Sequence, residues 1–302
     1  MVRVGLGSSS VTSDRETVLS VVIDPGRLSA GIVSGDGDVL VRDRVGTTGR
    51  EVWRSLEQIV RRILAARPDD VALPSRVGVS CVGPIDVDAG SVSPASIPAW
   101  RAFPLRAQLE ELTGLPVHLD TLAGAAATAE QWNGDAVDVA SFLLVLFDQT
   151  IESAVVIDGV RLRGAHGNAG SLAHVAVEPG GAACGCGASG CLSAYATMTA
   201  LEAEMNRPIR RATPSMIDRT GIMIGRAIAS AAAAFDVTTV LLGGAVIDTF
   251  GDPVLDSLRR ELALRSRLTH LADLRVVELS GYGQPLVAAA SVALRAAADV
   301  GR

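Results

Sequence analysis

Four residues that can bind a metal ion lie within eighteen positions of this sequence. His174, Cys184, Cys186 and Cys191 include one of the four histidines and three of the four cysteines. Three thiolates and one imidazole form the ligand set that zinc prefers in closed, tetrahedral structural sites, and the intervening glycines allow the backbone to turn around one ion. The spacing therefore predicts a structural zinc site. The alternative is free thiols or a disulfide, but a C-x-C disulfide is strained and Cys81 is remote.

The composition is typical of a globular protein with two substantial cores. The chain has 302 residues, 48% of them hydrophobic, and a net charge of −6 that does not favour non-specific binding to nucleic acid. All 27 basic residues are arginine, which excludes lysine chemistry such as a Schiff base or a P-loop. No apolar run approaches the ~18 residues of a membrane span, and no secretory signal is recognisable. We expect a cytoplasmic protein with a flexible tail over residues 1–16.

Strand and helix patterns alternate along the chain and describe two similar halves, each a β-β-β-α-β-α unit. This pattern predicts two α/β domains that face each other across a cleft. One domain comprises residues 17–122 together with 285–302, and the other comprises residues 123–284 with the metal site. The predicted strands cover residues 18–24, 29–34, 39–45, 77–82, 117–119, 141–147, 153–157 and 238–242. The predicted helices cover residues 51–64, 105–112, 123–132, 192–205, 214–235, 253–266 and 285–298.

The segment around the predicted zinc ligands resembles a family signature. Residues 169–174 read A-G-S-L-A-H and residues 184–192 read C-G-C-G-A-S-G-C-L. They are similar to A-G-E-x-G-H and C-x-C-G-x-x-G-C-L-E of the ROK family of repressors, open reading frames and sugar kinases. Four further blocks agree in order, namely V-G-V-S-C-V-G-P-I-D, S-I-P-A-W-R, G-L-P-V-H-L-D and V-L-L-G-G-A. The resemblance covers essentially the whole chain from residue 18 onward.

This resemblance implies an α/β, actin-like ATPase (ribonuclease H-like) fold with two domains flanking a cleft. It also implies zinc beneath the sugar site, ATP and Mg²⁺ as the cofactors of active members, and hexoses or amino sugars as substrates. ROK proteins commonly form dimers or tetramers, so a homodimer or homotetramer is expected. Residues 228–235 could contribute an apolar interface, with a buried core helix as the alternative.

The base and the sugar-binding residues depart from the family pattern. Family kinases read E-N-D-A-N, where the aspartate accepts the sugar hydroxyl proton, whereas residues 120–124 read D-T-L-A-G. Leu122 cannot accept a proton, and loss of a positioned base typically costs roughly 10²- to 10⁴-fold. We expect Asp120 to act as a cap-like carboxylate for the next helix. Serines replace the family's sugar-binding side chains, and only the histidine is retained. The resulting cleft, which could hold a small polar ligand or a sugar, consists of Ser96, Asp120, Thr121, Ser171, His174 and Ser193.

The nucleotide-binding motifs are also altered. The first hairpin is shorter by one glycine, and the second loop carries Asp148 and Glu152 where the family has glycines. Carboxylates at these positions should repel phosphate, because phosphate loops bind anions through backbone amides. By resemblance Asp24 would hold Mg²⁺ through water, although a turn-forming aspartate before Pro-Gly explains it equally well. The degenerate site comprises Asp24, Gly26, Arg27, Asp148, Gln149, Thr150, Gly243 and Gly244.

Four hypotheses follow from these departures. The leading one is a pseudokinase that lacks phosphotransfer and acts as a ligand-sensing, regulatory or scaffold protein. The second is a divergent ATP-dependent hexose kinase of the glucokinase type. The third is a ROK transcriptional regulator, but about sixteen residues precede the first strand, too few for a winged helix-turn-helix, so direct DNA binding is not expected unless the chain is a fragment. The fourth is an enzyme with different chemistry in the old cleft, using Asp120, Asp148, Glu152 or His174.

Overall fold

The structure is a computed structural model that describes residues 16–47, 51–264, 268–279 and 284–299. Most of the predicted tail, residues 1–15, lies outside the described residues. The N-terminal half contains strands β1 (Thr17–Asp24), β2 (Arg27–Ser34), β3 (Val39–Gly46), β4 (Arg76–Cys81), β5 (Ile85–Asp86), β6 (Ser91–Val92) and β7 (Val117–Thr121). Its helices are α1 (Val52–Ala65), α2 (Leu105–Thr113) and α3 (Leu122–Asn133).

The C-terminal half repeats this plan with longer helical insertions. Its strands are β8 (Phe142–Phe147), β9 (Ile151–Ile157), β10 (Val160–Arg161), β11 (Thr239–Gly243) and β12 (Arg275–Glu278). Its helices are α4 (Ser193–Ala196), α5 (Met198–Met205), α6 (Pro214–Phe235), α7 (Ala245–Phe250), α8 (Asp252–Ala263) and α9 (Pro285–Asp299). Two short 3₁₀ helices cover Ile209–Arg211 and Thr269–Leu271.

The two main sheets have the same topology, which confirms the prediction of two similar halves. The first has the order β3-β2-β1-β4-β7 and the second the order β10-β9-β8-β11-β12. In each, the first three strands are antiparallel neighbours and the next two are parallel. Parallel strands need a covering layer on both faces, and the central strands β1, β4, β8 and β11 are accordingly almost fully buried.

Helices cover these sheets through apolar faces. Leu56, Ile59 and Ile63 of α1 lie in the core on one side of the first sheet. On its other side, α9 packs against β1 through residues such as Leu286, so this C-terminal helix lies on the first sheet. The domain boundaries proposed from the sequence stay a prediction. Within the described residues no helix is long and apolar enough to cross a membrane.

Two predicted helices have different bounds in the structure, and part of a third is buried in the core. The single helix predicted over residues 192–205 is wrong, because Thr197 has an extended conformation (φ −91°, ψ 148°) and its hydroxyl caps α5 by accepting from the Ala200 amide. The helix predicted to end at residue 266 ends at Ala263, and residues 265–267 lie outside the described residues. The segment 228–235 is largely core, since Ile228 and Ala232 are fully buried. This segment therefore agrees with a buried core helix rather than with an exposed apolar surface for a second subunit.

Candidate functional site

The four predicted metal ligands come together in the structure. Their ligand atoms all lie within 4.8 Å of one another. Nδ1 of His174 is 3.5 Å from Sγ of Cys184, and Sγ of Cys186 is 3.7 Å from Sγ of Cys191. With Zn–S of about 2.3 Å and Zn–N of about 2.0–2.1 Å, a tetrahedral site requires S···S of about 3.8 Å and N···S of about 3.6 Å. The donor set and its geometry therefore fit a four-coordinate metal ion.

Tight turns between the cysteines create this geometry. A turn closes with the Cys184 amide donating to the carbonyl of Ala188 (2.8 Å) and the Gly187 amide donating back to the carbonyl of Cys184 (3.0 Å). Gly187 has φ +94°, a conformation that favours glycine. At Gly190 (φ +80°) a Cβ atom would collide with the carbonyl of Glu178. These two glycines let the chain return quickly enough to bring its sulfur atoms to one point.

The thiols also differ in acidity. For Cys184, burial raises the pKa, but hydrogen bonds from the Cys186 amide and from Ser193 outweigh it and lower the pKa to about 6. For Cys191, burial and the neighbouring sulfurs raise the pKa to about 12. Once one thiol has lost its proton, its negative charge opposes the ionisation of the neighbouring thiol. A cation among them removes this repulsion, because metal ligation requires the thiolate form.

The residues predicted to bind the sugar do not all lie together in the structure. His174 and Ser193 lie at the cluster of candidate metal ligands, whereas the other two serines are exposed. The hydroxyl of Ser193, at the position of the family's glutamate, lies 3.4 Å from Sγ of Cys184. Ser193 and His174 therefore both contact Cys184. Ser171 and Ser96 are exposed, the former after β10 and the latter in the loop after β6.

At the base position, the side chain belongs to the hydrophobic core rather than to acid–base chemistry. Leu122 begins α3, is half-buried and packs against apolar clusters on both faces of the first sheet. The helix cap is Thr121, whose hydroxyl accepts from the Gly124 amide at 2.9 Å. Thr121, and not Asp120, is therefore the capping residue, so the predicted cap is displaced by one residue. The Asp120 carboxylate does lie at the helix start, where its Oδ1 accepts from the Thr121 amide at 2.7 Å.

Asp120 forms a buried ion pair with Arg161 of β10. The guanidinium contacts both carboxylate oxygens, with Nε 3.1 Å from Oδ2 and Nη2 in contact with Oδ1, and both side chains are less than 10% exposed. A side chain at Gly124 would collide with this pair, which explains glycine where the family has asparagine. The pair joins the edge of the first sheet to the second half of the chain.

A second link between the halves lies nearby. The side-chain amide of Asn168 accepts from the backbone N–H of Ile85 (2.9 Å) and donates to its carbonyl (2.7 Å). The Val87 amide also donates to the carbonyl of His166 at 3.0 Å. The segment after β10 is thus tied to the β5 region by paired hydrogen bonds.

The first hairpin ends in a two-residue turn. Asp24 is paired with Arg27, so only Pro25 and Gly26 form the turn between β1 and β2, as expected for a shortened loop. The Asp24 carboxylate accepts from the Gly26 amide at 3.0 Å. Burial raises the pKa of Asp24, and the nearby carboxylate of Asp148 adds to this effect. The amide that a phosphate loop would present is therefore bonded to a side chain of the same turn.

The second hairpin fills the space opposite the first. A Cβ atom placed on Gly26 would lie 3.0 Å from Nε2 of Gln149, so the two turns are in contact through this glutamine. The carboxylate of Asp148 accepts from the Ala245 amide at 2.9 Å, directly after Gly243 and Gly244. Amides after such a Gly-Gly turn can bind an anion, and here a carboxylate already bonds one of them.

Glu152 adds a buried carboxyl behind the same loop. Burial raises its pKa to about 7, although the Thr150 hydroxyl and the Gly83 amide hydrogen-bond to it. Thr150 contacts it at 3.3 Å. The carboxylates of Asp24 and Asp148 thus lie near each other at the two turns, where negative charge disfavours a phosphate.

The sequence predicted the cluster and the altered loops but not two residues that link the halves of the chain. Arg161 and Asn168 were not predicted, although each bonds a residue far away in the chain, Asp120 and Ile85 respectively. The Asp158-Gly159 turn signals a strand around Arg161, but no pattern indicates its partner. The contact of Ser193 with Cys184 was likewise not predicted.

Comparisons with known proteins give the family. The model of the ROK family matches residues 20–280. A glucokinase of Halalkalibacterium halodurans is 34% identical over 165 residues, which are 53% of this chain and 50% of that protein. A glucokinase of Thermotoga maritima is 32% identical over 63% of this chain and 60% of its own length. The chain thus spans about half to three fifths of these curated relatives.

Solved structures give the fold. A ROK hexokinase from Thermus thermophilus is 30% identical, with a TM-score of 0.76 over 94% of this chain and 99% of its own. A ROK family transcriptional regulator, a homologue of the E. coli MLC protein, has a TM-score of 0.84 at 22% identity over 94% of this chain and 79% of its own. The second likeness concerns the fold alone. With a family match over most of its length, this chain is a member of the ROK family.

Proposed function

We propose that this ROK-family, sugar-kinase-like protein is a pseudokinase that does not transfer phosphate and acts as a ligand-sensing, regulatory or scaffold protein. The observation that carries the proposal is the contact between the two hairpins. Gln149 fills the gap next to Gly26, and Asp148 bonds the Ala245 amide. Phosphoryl transfer depends almost entirely on positioning and on stabilisation of negative charge. A site that offers carboxylates and already bonded amides does not fit the phosphates of Mg-ATP.

The base position supports the same proposal. Leu122 packs into the core, and the nearest carboxylate along the chain, that of Asp120, is held by Arg161. Burial raises the pKa of Asp120 against the opposing effect of Arg161, but the guanidinium contacts both carboxylate oxygens and so keeps them from a sugar hydroxyl. We infer that no residue of this segment replaces the missing base.

We propose that the metal is structural Zn²⁺, bound by His174, Cys184, Cys186 and Cys191. The cluster fits it in donor chemistry and spacing. Bound zinc would hold the segment between β10 and α4 in one conformation, and Ser193 would hydrogen-bond one of its thiolates. With serine at this position, the sugar side is better suited to a small polar ligand than to tight hexose binding.

The test is a titration of the zinc-loaded protein with Mg-ATP, combined with a phosphotransfer assay on glucose and N-acetylmannosamine. We expect no saturable binding of Mg-ATP and no product above the no-enzyme control, with a ROK hexokinase as the positive control. Micromolar affinity for Mg-ATP would contradict the proposal. Thermal denaturation with a panel of sugars, sugar phosphates and nucleotides would then search for the ligand that the cleft accepts.

The alternative is a divergent ATP-dependent hexose kinase. It is favoured by the intact Gly243-Gly244 turn, by the retained His174, and by relatives named glucokinase or hexokinase. A DNA-binding regulator is the third candidate, suggested by the regulator with the same fold. A gel-shift experiment with genomic fragments tests it, and we expect no retarded band.

A further inference from the structure

A polar cavity of about 650 Å³ lies on one face of the first sheet, next to the start of α9. Its lining includes Arg27 and Ser29 of β2, Arg42 and Arg44 of β3, and Leu286 of α9. Ligand sites commonly have volumes of roughly 300–1,000 Å³, so the cavity is large enough for a small metabolite. Apart from Arg27, these residues belong neither to the metal cluster nor to the cleft described above.

The strand register explains why the arginines converge. β2 and β3 are antiparallel, with Ser29 opposite Arg44 and Gly31 opposite Arg42. Residues directly opposite each other in such a pair project from the same face, as do alternate residues of one strand. Both arginines therefore share a face with Ser29. Gly31 has no side chain to fill the floor, and a Cβ atom there would lie 3.0 Å from Cδ1 of Leu286.

The guanidinium groups of the two β3 residues are available to a ligand. Arg42 and Arg44 are exposed, and neither makes an ion pair within the part of the chain that the structure describes. The carboxylate of Asp43, which lies between them in sequence, is engaged by Arg62 of α1 at 2.7 Å. The intervening negative charge is thus neutralised by another residue.

The rest of the lining keeps the cavity positive. Arg27 contacts Asp24 only at 3.9 Å and is half-exposed. Two carboxylates, those of Asp38 and Asp43, also belong to the lining, and Arg62 pairs with the second of them. The fifteen-residue helix α9 begins at Pro285 beside the cavity, and the N-terminus of a helix favours a nearby anion.

We propose that this cavity binds a phosphate-bearing small molecule, with Arg42 and Arg44 as the direct phosphate contacts. Guanidinium groups bind phosphate through paired, charge-assisted hydrogen bonds. Ser29 and Arg27 extend the lining along β2 toward the turn of the first hairpin. The site does not depend on whether the cleft is catalytically active.

Isothermal titration with pyrophosphate, glucose 6-phosphate and glucose tests this proposal. The site variant is Arg42→Gln/Arg44→Gln, and the matched control is Arg210→Gln/Arg211→Gln, which removes two exposed arginines on a 3₁₀ helix of the other half. We expect at least one phosphorylated probe to bind saturably, its affinity to fall by about tenfold or more in the site variant, and the control to stay within about twofold of the wild type.

Three results would overturn the proposal. They are the absence of saturable binding by both phosphorylated probes, an equal loss of affinity in the two double variants, and a loss caused instead by Ser171→Ala, which would place the ligand in the cleft. Thermal denaturation checks folding, and the single variants Arg42→Gln and Arg44→Gln replace the double variant if it does not fold. None of these results affects the pseudokinase proposal, which depends on Mg-ATP.

Discussion

The metal cluster and the facing hairpins have diverged to different degrees. The cluster keeps all four candidate ligands in a geometry that fits zinc. The second hairpin instead carries Asp148 and Glu152 where the resemblance implies glycines, and its Gln149 lies beside Gly26 of the first hairpin. The cluster is built within eighteen residues, and a metal ion bound there would contribute to folding. This contrast suggests that stability constrains the first region and that phosphate binding no longer constrains the second.

The largest effect is expected from removing a cluster ligand. Cys191→Ser should abolish zinc binding and lower the free energy of unfolding by several kcal/mol, because metal affinity in closed sites appears as folding free energy. Metal analysis by mass spectrometry and urea denaturation measure the two effects. Cys81→Ser, which changes the cysteine outside the cluster, should leave the zinc content unchanged. If the Cys191→Ser protein retained stoichiometric zinc, the proposed site formed by His174 and the three cysteines would be wrong.

The next effect concerns the buried ion pair between Asp120 and Arg161. Arg161→Met should cost about 3–5 kcal/mol, because it leaves the Asp120 carboxylate buried without its partner. The double change Asp120→Asn/Arg161→Met should recover much of this loss. Arg54→Met, which breaks an exposed pair with Glu51 at 3.1 Å, should cost no more than about 1 kcal/mol. Equal losses in urea denaturation for the two arginines would show that the buried pair is not structural.

The contrast between the regions also explains what could be predicted from the sequence. The proximity of the four candidate ligands was predictable because these residues are close in sequence and their side chains have specific metal-binding chemistry. The two-half topology was predictable because apolar periodicity reports burial directly. The partner of Asp120 was not, because Arg161 lies 41 positions away on a two-residue strand and any of many arginines could have met that carboxylate. The helix break at Thr197 depends on one capping hydroxyl, which competes with a continuous helical pattern.

The acidic loop should make stability depend on pH. Burial raises the pKa of Glu152 from 4.5 to about 7, so the folded protein binds this proton more tightly than the unfolded chain. Between these two values the unfolded chain has released the proton and the folded state retains it. The contribution of Glu152 to the free energy of unfolding is therefore largest below pH 4.5 and is lost as the pH rises to about 7, by up to about 3 kcal/mol.

Glu152→Gln should remove this part of the pH dependence. Its unfolding free energy, measured by urea denaturation from pH 5 to 8, should fall less with pH than that of the wild type, and it should be the more stable protein at pH 8. Glu111→Gln on exposed α2 is the matched control and should follow the wild-type curve. If Glu152→Gln keeps the wild-type slope, the pKa of Glu152 is not raised in the folded protein, and the buried environment of this carboxyl group is wrong.

The smallest effect is expected from restoring the lost base. Leu122→Asp places a carboxylate at the start of α3 but leaves Asp148, Gln149 and Glu152 between the hairpins. Phosphotransfer to glucose should remain undetectable, because a base cannot act where the phosphates are not bound. Removing the packed leucine should cost about 1–3 kcal/mol, and Leu122→Asn, similar in size to aspartate but without its charge, separates this packing loss from any gain in chemistry. ATP-dependent phosphorylation by Leu122→Asp but not by Leu122→Asn would mean that the hairpins still bind nucleotide and that only the base was lost.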